Sequence, residues 1–452
     1  MYWANFLHFY QPPTQKEIWV RRITNESYRK IFSGLIGIKR ARLTININGI
    51  LCELLEKHGG KDVLDCIRSL LRSGNIELTG SAKYHAFLPL LPESEIERQI
   101  ILNEGSLTKY FGGLWKKKGF FSPEMAYSKT VARVAARMGY SWIVVDELGF
   151  PIGKKIKSDS IYTIEDLGEF KVFFRERNFS FLILSAQAGT VPSMLRYLGA
   201  KLDSSEYALT AMDGETFGHH RPGLEKLLFD LLREERIIPA MISDLPEIFP
   251  ARQAVEVRDS TWAVTKKNLE EKEPFARWKG AQNNIQQMQW RLTALAVETV
   301  NRARGELRAR RLLDEALHSD QYWWASARPW WSLEMIERGA HELKSVVQIS
   351  RGASLKEKAR AEELYRGIIY TGFEWQRSGL VDELSRKEDE EIHGRLEDKG
   401  KVFISREEYK QMIDTLLNEV RLAAVAEDYH RAAMIKERVR ELSEEMKKAN
   451  GS

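Results

Sequence analysis

The chain has 452 residues, 43% of them hydrophobic and 29% charged, with a formal net charge of +5. That length exceeds one small core and predicts a large domain with additions, in an ordinary water-soluble composition. So small a charge excess gives no reason to expect nucleic acid as partner, and no stretch approaches the roughly 20 apolar residues of a membrane helix.

Residues 2–7 read directly as a strand with no basic segment before them, which is not the pattern of a signal peptide, so a cytoplasmic location is expected. From there to about residue 250, short apolar strands alternate with helical stretches. The candidate strands are 2–7, 42–46, 76–79, 119–121, 142–145, 171–174, 207–211 and 238–242. Between them, 60–72 sets Val63, Ile67, Leu70 and Leu71 on one helical face, and 93–110 does the same with Ile96, Ile100 and Leu107. Strand–helix alternation predicts a parallel sheet with helices outside it, and seven or eight units favour a barrel. His8, Asn46, Glu77, Glu124, Asp146, Arg175 and Asp213 all fall at or near strand C-termini, the face where such barrels carry their active sites. Cys52 and Cys66 could pair, yet nothing depends on it, and a reducing compartment is expected.

From 275 to 375 helical patterns dominate, with Ile285, Met288, Leu292, Leu295 and Val300 outlining an apolar face; a bundle packed on the barrel is the simplest reading. Residues 377–402 are charged and poor in apolar side chains, as in a linker. Residues 403–452 repeat Met412, Leu416, Val420 and then Ile435, Val439, Leu442, Met446 at helical spacing, broken near 427–429. This predicts a helical hairpin with too little core to stand alone, which must dock or self-associate. The expected units are therefore 1–255, 256–376, 377–402 and 403–452.

Two segments concentrate chemistry. Glu124 follows Pro123, whose fixed φ ends the strand and aims the next side chain; a glutamate so held suits a nucleophile, while the plain alternative is a surface residue after a strand. Asp213 and Glu215, two apart, share one side of an extended chain, so one could be an acid/base and the other a substrate ligand; the alternative is an acidic Asp-Gly turn. His219 and His220 follow. His8 precedes Tyr10 and Gln11, and a metal site would want a second ligand where Tyr10 stands, so no metal is expected. Glu77 and His85 flank a turn-like run. Asp320, with Trp323 or Trp324, could close a cleft over a sugar, although aromatic packing explains one of the tryptophans equally well. Walker A, dinucleotide-binding, CxxC and GxSxG patterns are absent.

Together these segments resemble glycoside hydrolase family 57, whose members act mainly on α-glucans. Five short regions carry the likeness in order. They are His8–Pro12, Gly74–Ser81 running on to His85 and 88–91, Gly119–Met125, Met212–His219 and His318–Ser326. Residues 274–279 with Asn283 and Gln286 resemble the segment after the barrel. Tyr10 departs from the histidine the family often has there, which bears on subsite preference. The resemblance implies an α/β fold, an incomplete (β/α)7 TIM-like barrel followed by a helical bundle and a C-terminal helical hairpin. It maps the nucleophile to Glu124 and the acid/base to Asp213. Substrate contacts fall to His8, Gln11, Glu77, His85, Glu215, His219, Asp320, Trp323 and Trp324, with no cofactor. The implied reaction is double displacement on α-1,4-glucans with carboxyls roughly 5–5.5 Å apart. Asp213 then stays protonated near neutral pH through burial and neighbouring charge. Water as acceptor makes a hydrolase; a glucan makes a 4-α-glucanotransferase or branching enzyme. A metal-dependent deacetylase or mannosidase on a similar barrel, and a glucan-binding scaffold, are the rival classes. Residues 426–438 are similar to the UVR motif, implying a protein-contact or self-association role for 403–452.

Overall fold

The computed structural model describes residues 1–303, 305–328, 330–397 and 402–449. Its strands are β1 (Tyr2–Phe9), β2 (Leu43–Ile47), β3 (Ile76–Leu78), β4 (Gly119–Phe120), β5 (Trp142–Asp146), β6 (Ile161–Ile164), β7 (Lys171–Arg175), β8 (Tyr207–Asp213), β9 (Ile238–Ala240) and β10 (Arg252–Val255). β8, β1, β2 and β3 lie side by side in parallel, as do β4, β5 and β7. A parallel bridge between Gly80 and Phe120 joins the two groups, and the Glu176 amide donates to the Leu209 carbonyl at 2.8 Å, bringing β7 back against β8. Seven parallel strands thus wrap into a (β/α)7 barrel, one strand short of the usual eight.

Strands buried on both faces must be apolar nearly throughout, and β2 and β5 are buried at every position. The barrel interior holds Phe6, Phe121, Val144, Phe173 and Leu209. On the outer face of the sheet, Trp3 Nε1 and Asn5 Nδ2 both donate to Thr210 Oγ1, at 2.9 and 3.1 Å. Outside, the helix Lys61–Arg72 buries Val63, Leu64, Ile67 and Leu70, and Glu93–Phe111 buries Ile96, Ile100 and Leu107.

Three features differ from the sequence reading. The strand expected at 238–242 is shorter and pairs β1 only at its entry, Tyr2–Ala4. β6 and β10 were not expected; β6 runs antiparallel to β7, and β10 extends that edge. Each is only four residues long, too short a run for alternation to register. The stretch read as a linker is helical over Leu380–Glu397, and Arg377 ends the preceding helix, Leu355–Arg377. Its residues from Leu380 to Lys387 are half-buried or exposed, and it is tied down by charge: Glu388, itself buried, meets Arg277 at 2.5 Å.

The helices Asn284–Arg302, Leu307–Ala316, Leu333–Ile349 and Leu355–Arg377 share one core with the outer barrel wall, where Ile285, Leu292, Leu313 and Leu343 join Phe120, Ile143 and Val145. The hairpin, Arg406–Val425 and Tyr429–Ala449, docks on its own barrel. Glu419 meets Lys30 at 2.9 Å, and Glu408 accepts from Thr190 Oγ1 at 2.6 Å. Cys52 and Cys66 are free thiols. Among the described residues no helix is long and apolar enough to cross a membrane.

Phe6 is fully buried at the centre of the barrel interior. Phe6→Ala is expected to cost about 3–5 kcal/mol in denaturant unfolding, because the surrounding rings cannot collapse into the space left.

Candidate active site

The backbone around Glu124 is forced. Gly119 has no room for a side chain, since a Cβ would lie 2.1 Å from the Trp142 ring. Pro123 then fixes one φ, and Glu124 and Met125 both adopt left-handed φ, +61° and +49°. Two such non-glycine residues cost about 1–3 kcal/mol each unless their surroundings hold them. Met125 is fully buried in the barrel interior, the Trp262 amide donates to the Glu124 carbonyl at 3.3 Å, and the Tyr127 amide donates to Ser260 O at 2.8 Å. The result is a carboxylate aimed into a cleft. Trp262 Nε1 donates to Glu124 Oε2 at 2.8 Å, Ser319 Oγ lies 3.4 Å from Oε1, and His85 Nδ1 lies 3.9 Å from it. The Glu124 side chain keeps 15% of its surface exposed, so a ligand atom can reach it.

Asp213 ends β8 opposite His8 of β1. Gly214 follows because a Cβ there would meet the Phe9 ring at 2.1 Å. The turn Gly214–Thr216 then directs Glu215 inward. There it accepts a very short hydrogen bond from the Tyr28 hydroxyl and a longer one, 3.3 Å, from Gln11 Nε2.

Burial dominates the electrostatics. It pushes the Glu124 carboxyl up to about 8, with the Asp213 and Asp320 charges adding and the Trp262 and Ser319 hydrogen bonds opposing. Burial likewise raises Asp213, against the pull of Arg175, and raises Glu215, with the Asp213 charge adding. The expectation that Asp213 is lifted by burial therefore holds in direction, while Arg175 works against it. Arg175 is itself buried, which pulls it down to about 10, and shares Asp146 with Arg177 at 3.6 and 2.7 Å.

Beside the carboxyls runs a chain of imidazoles. His8 Nδ1 meets Asn46 Oδ1 at 2.8 Å, His8 Nε2 meets His85 Nε2 at 3.0 Å, and His85 Nδ1 meets Ser319 Oγ at 2.9 Å. Two ring nitrogens so close share one proton, and burial lowers both histidines, His85 to about 4, so the pair is neutral. Tyr10 stacks on His85 at 3.9 Å between centroids and donates to Asp320 Oδ2 at 2.6 Å. His318 Nδ1 lies 3.2 Å from the same oxygen. Burial opposes the charge on His318, but Asp320 and Glu342 outweigh it and lift this histidine to about 9.

His8, Gln11, His85, Glu124, Asp213, Glu215 and Asp320 thus come together. Other candidates stand apart. Glu77 is paired with Thr44 across β2 and β3, and accepts from Thr44 Oγ1 at 2.7 Å and the Ser243 amide at 3.1 Å. His219 pairs with Glu26 at 2.5 Å. Trp323 packs 5.2 Å from Trp278, and Trp324 against the helical core. Trp262, Ser319 and Tyr28 were missed by the sequence reading. Trp262 lies in an irregular segment after β10, and its only signal is one aromatic after the polar run Asp259–Thr261. Among the described residues no group of three His, Cys, Asp or Glu side chains is arranged to hold a metal ion.

A carboxyl whose folded pKa is raised binds its proton more tightly than in the unfolded chain. The stability it contributes is full below about 4.5 and is lost as pH rises through about 8. Glu124→Gln removes that term, so its melting temperature is expected to fall less between pH 5 and 8.5 than that of the wild type. Parallel slopes for the two proteins would contradict a buried, proton-holding Glu124.

With the geometry in hand, comparisons with known proteins give context. An α-amylase of Pyrococcus horikoshii is 27% identical over 230 residues, 50% of this chain and 35% of its own. A 4-α-glucanotransferase of Thermococcus litoralis is 27% identical over 200 residues, 43% of this chain and 29% of its own. The chain thus spans about a third of the length of these curated relatives. Among solved structures, a GH57-type branching enzyme from Pyrococcus horikoshii superposes with a TM-score of 0.61 at 16% identity, over 82% of this chain and 96% of that one. The Thermococcus litoralis 4-α-glucanotransferase does so with a TM-score of 0.61 at 20% identity, over 76% and 58%. These likenesses support the same barrel-plus-helices fold. The profile of glycosyl hydrolase family 57 matches residues 6–242, more than half the chain and nearly the whole barrel, and the chain belongs to that family.

Proposed function

We propose that the protein is a retaining glycosidase acting on α-1,4-glucans, with Glu124 as nucleophile and Asp213 as acid/base. The observation that carries this reading is that Glu124, after β4, and Asp213, ending β8, lie at the same end of the barrel, joined through His8, level with Asp213 on β1, and His85, 3.0 Å from His8 and 3.9 Å from Glu124. Family membership and relatives named α-amylase and 4-α-glucanotransferase support the substrate class.

In the reactive form Glu124 is ionised and Asp213 protonated. Glu124 attacks the anomeric carbon while Asp213 gives its proton to the departing glycosidic oxygen, and the C–O bond to the leaving sugar breaks. The glycosyl ester on Glu124 is then opened by an acceptor hydroxyl, whose proton returns to Asp213. Trp262 Nε1 stabilises the ionised nucleophile by donating to it. Asp213 is the harder group to keep protonated, since Arg175 favours its charge; burial favours the proton. Asp320, with 20% of its side-chain surface exposed, is a polar group that could meet sugar hydroxyls. Tyr10 covers one face of His85 and narrows the choice of ring that fits there.

The acceptor decides the product. Water gives shorter chains, and a second glucan gives transfer or branching on the same two carboxyls. The UVR-like likeness of 426–438 would give the hairpin a contact role as well; the contacts described for it are with its own barrel.

Maltoheptaose is expected to be converted by the wild type, with shorter sugars alone if water accepts and a ladder above the substrate if glucan does. Glu124→Gln is expected to lower kcat by about a thousandfold or more while glucan binding persists. Substantial turnover by that variant would remove Glu124 as nucleophile. Binding without turnover by the wild type would favour a glucan-binding scaffold.

A further inference from the structure

The loop that follows Asp213 at the end of β8 and carries Glu215 has little structure of its own. It is a short turn, Gly214–Thr216, followed by Phe217, Gly218 and His219. It is gripped largely by one other short segment, the π-helical turn Thr24–Tyr28. Ser27 Oγ donates to the Gly214 carbonyl at 3.1 Å, the Tyr28 hydroxyl donates to Glu215, and His219 Nδ1 meets Glu26 Oε2 at 2.5 Å. Gly218 sits at φ +100°, where a Cβ would lie 2.1 Å from the Glu26 carbonyl oxygen, so the two segments touch backbone to backbone. A π-helical turn is an uncommon and easily altered hydrogen-bonding pattern. Something must hold it against the loop.

That group comes from the far end of the chain. Arg431, in the second helix of the hairpin, is nine-tenths buried. Its Nη2 donates to the Gly218 carbonyl at 2.6 Å and its Nη1 meets Glu26 Oε2 at 2.6 Å. One planar guanidinium therefore bridges loop and turn, using the fork geometry that lysine lacks. The Arg431 amide donates to Asp428 Oδ1 at 3.0 Å, and the other oxygen of Asp428 meets Arg22 at 2.8 Å. Arg22 Nε in turn donates to Glu26 Oε1 at 2.9 Å. Burial alone would raise Glu26, but His219, Arg431 and Arg22 outweigh it and hold that carboxyl below its usual range.

We propose that Arg431 of the C-terminal hairpin is a positioning residue, which clamps the 214–220 loop onto the Thr24–Tyr28 turn and so fixes Glu215 and Asp213 in the cleft. On this account the hairpin completes the active site in cis, from a segment outside the family match at 6–242. The catalytic consequence rests on the reading of Asp213 as acid/base; the clamp itself does not.

The test uses the full chain and two readouts. Hydrogen–deuterium exchange of Arg431→Met is expected to be faster at 214–221 by about tenfold or more, with β1, β2 and the hairpin helices protected as in the wild type. On maltoheptaose, kcat is expected to fall by about tenfold with KM within about twofold, and the alkaline limb of the pH profile to move, because the acid/base is misplaced while ground-state binding is kept. Arg431→Lys, which keeps the charge but cannot span both partners, is expected to recover only part of each effect. If Arg431→Met releases the whole hairpin, seen as rapid exchange throughout 406–449, Arg431→Lys decides. Faster exchange at 214–221 with a protected hairpin supports the clamp, and wild-type protection there overturns it. Faster exchange with an unchanged kcat and pH profile in an active enzyme would confine Arg431 to a structural role and overturn the positioning claim. An inactive wild type would count against the proposed function, and the exchange measurement would still judge the clamp.

Discussion

Like charges buried within a few ångströms of one another cannot all be present at once, and the cleft of this barrel crowds Glu124, Asp213 and Glu215 with Asp320 close by. The surroundings of the cleft answer to that constraint. Trp262 donates to Glu124, Tyr28 and Gln11 donate to Glu215, and Tyr10 with His318 holds Asp320. Arg175 offers Asp213 a compensating charge, and Asp146 limits how much of it is free to act.

The same constraint explains the strained backbone. A glutamate at the end of a two-residue strand would ordinarily point to solvent. Left-handed φ at Glu124 and Met125 instead buries Met125 in the barrel interior and swings the carboxylate into the cleft. His85 shows the same device, with φ +56°, and its ring is thereby set between His8, Ser319 and Tyr10. Side chains from β1, from the segments after β3, β4 and β8, and from residues 318–320 converge on one volume, so the helical part helps build the cleft.

Much of this was legible in the sequence, because strands buried on both faces must be apolar and residues 2–7, 42–46, 142–145 and 207–211 read as such. The two acids were found because each ends an apolar run beside proline or glycine, where sterics leave few alternatives. β6 and β10 were not legible, being too short for periodicity. The helix at Leu380–Glu397 was misread because it is stabilised by charge pairs such as Lys387–Glu383 at 2.5 Å rather than by an apolar stripe. Glu77 looked like its neighbours at strand ends, yet it lies level with Thr44, and its Oε1 is engaged by Thr44 and Ser243. Trp262, Ser319 and Arg431 could not be read, since each acts through contacts 138 to 213 residues away in sequence.

The central claim is that Glu124 bonds covalently to the sugar. An activated fluorosugar of the α-glucosyl or maltosyl type slows the opening of a glycosyl ester and lets it accumulate. Intact-mass analysis followed by peptide mapping would locate the adduct. The account predicts one adduct per chain, on the peptide containing Glu124 and absent from Glu124→Gln. An adduct on Asp213 or Glu215, or steady turnover of the reagent with no covalent species, would contradict it.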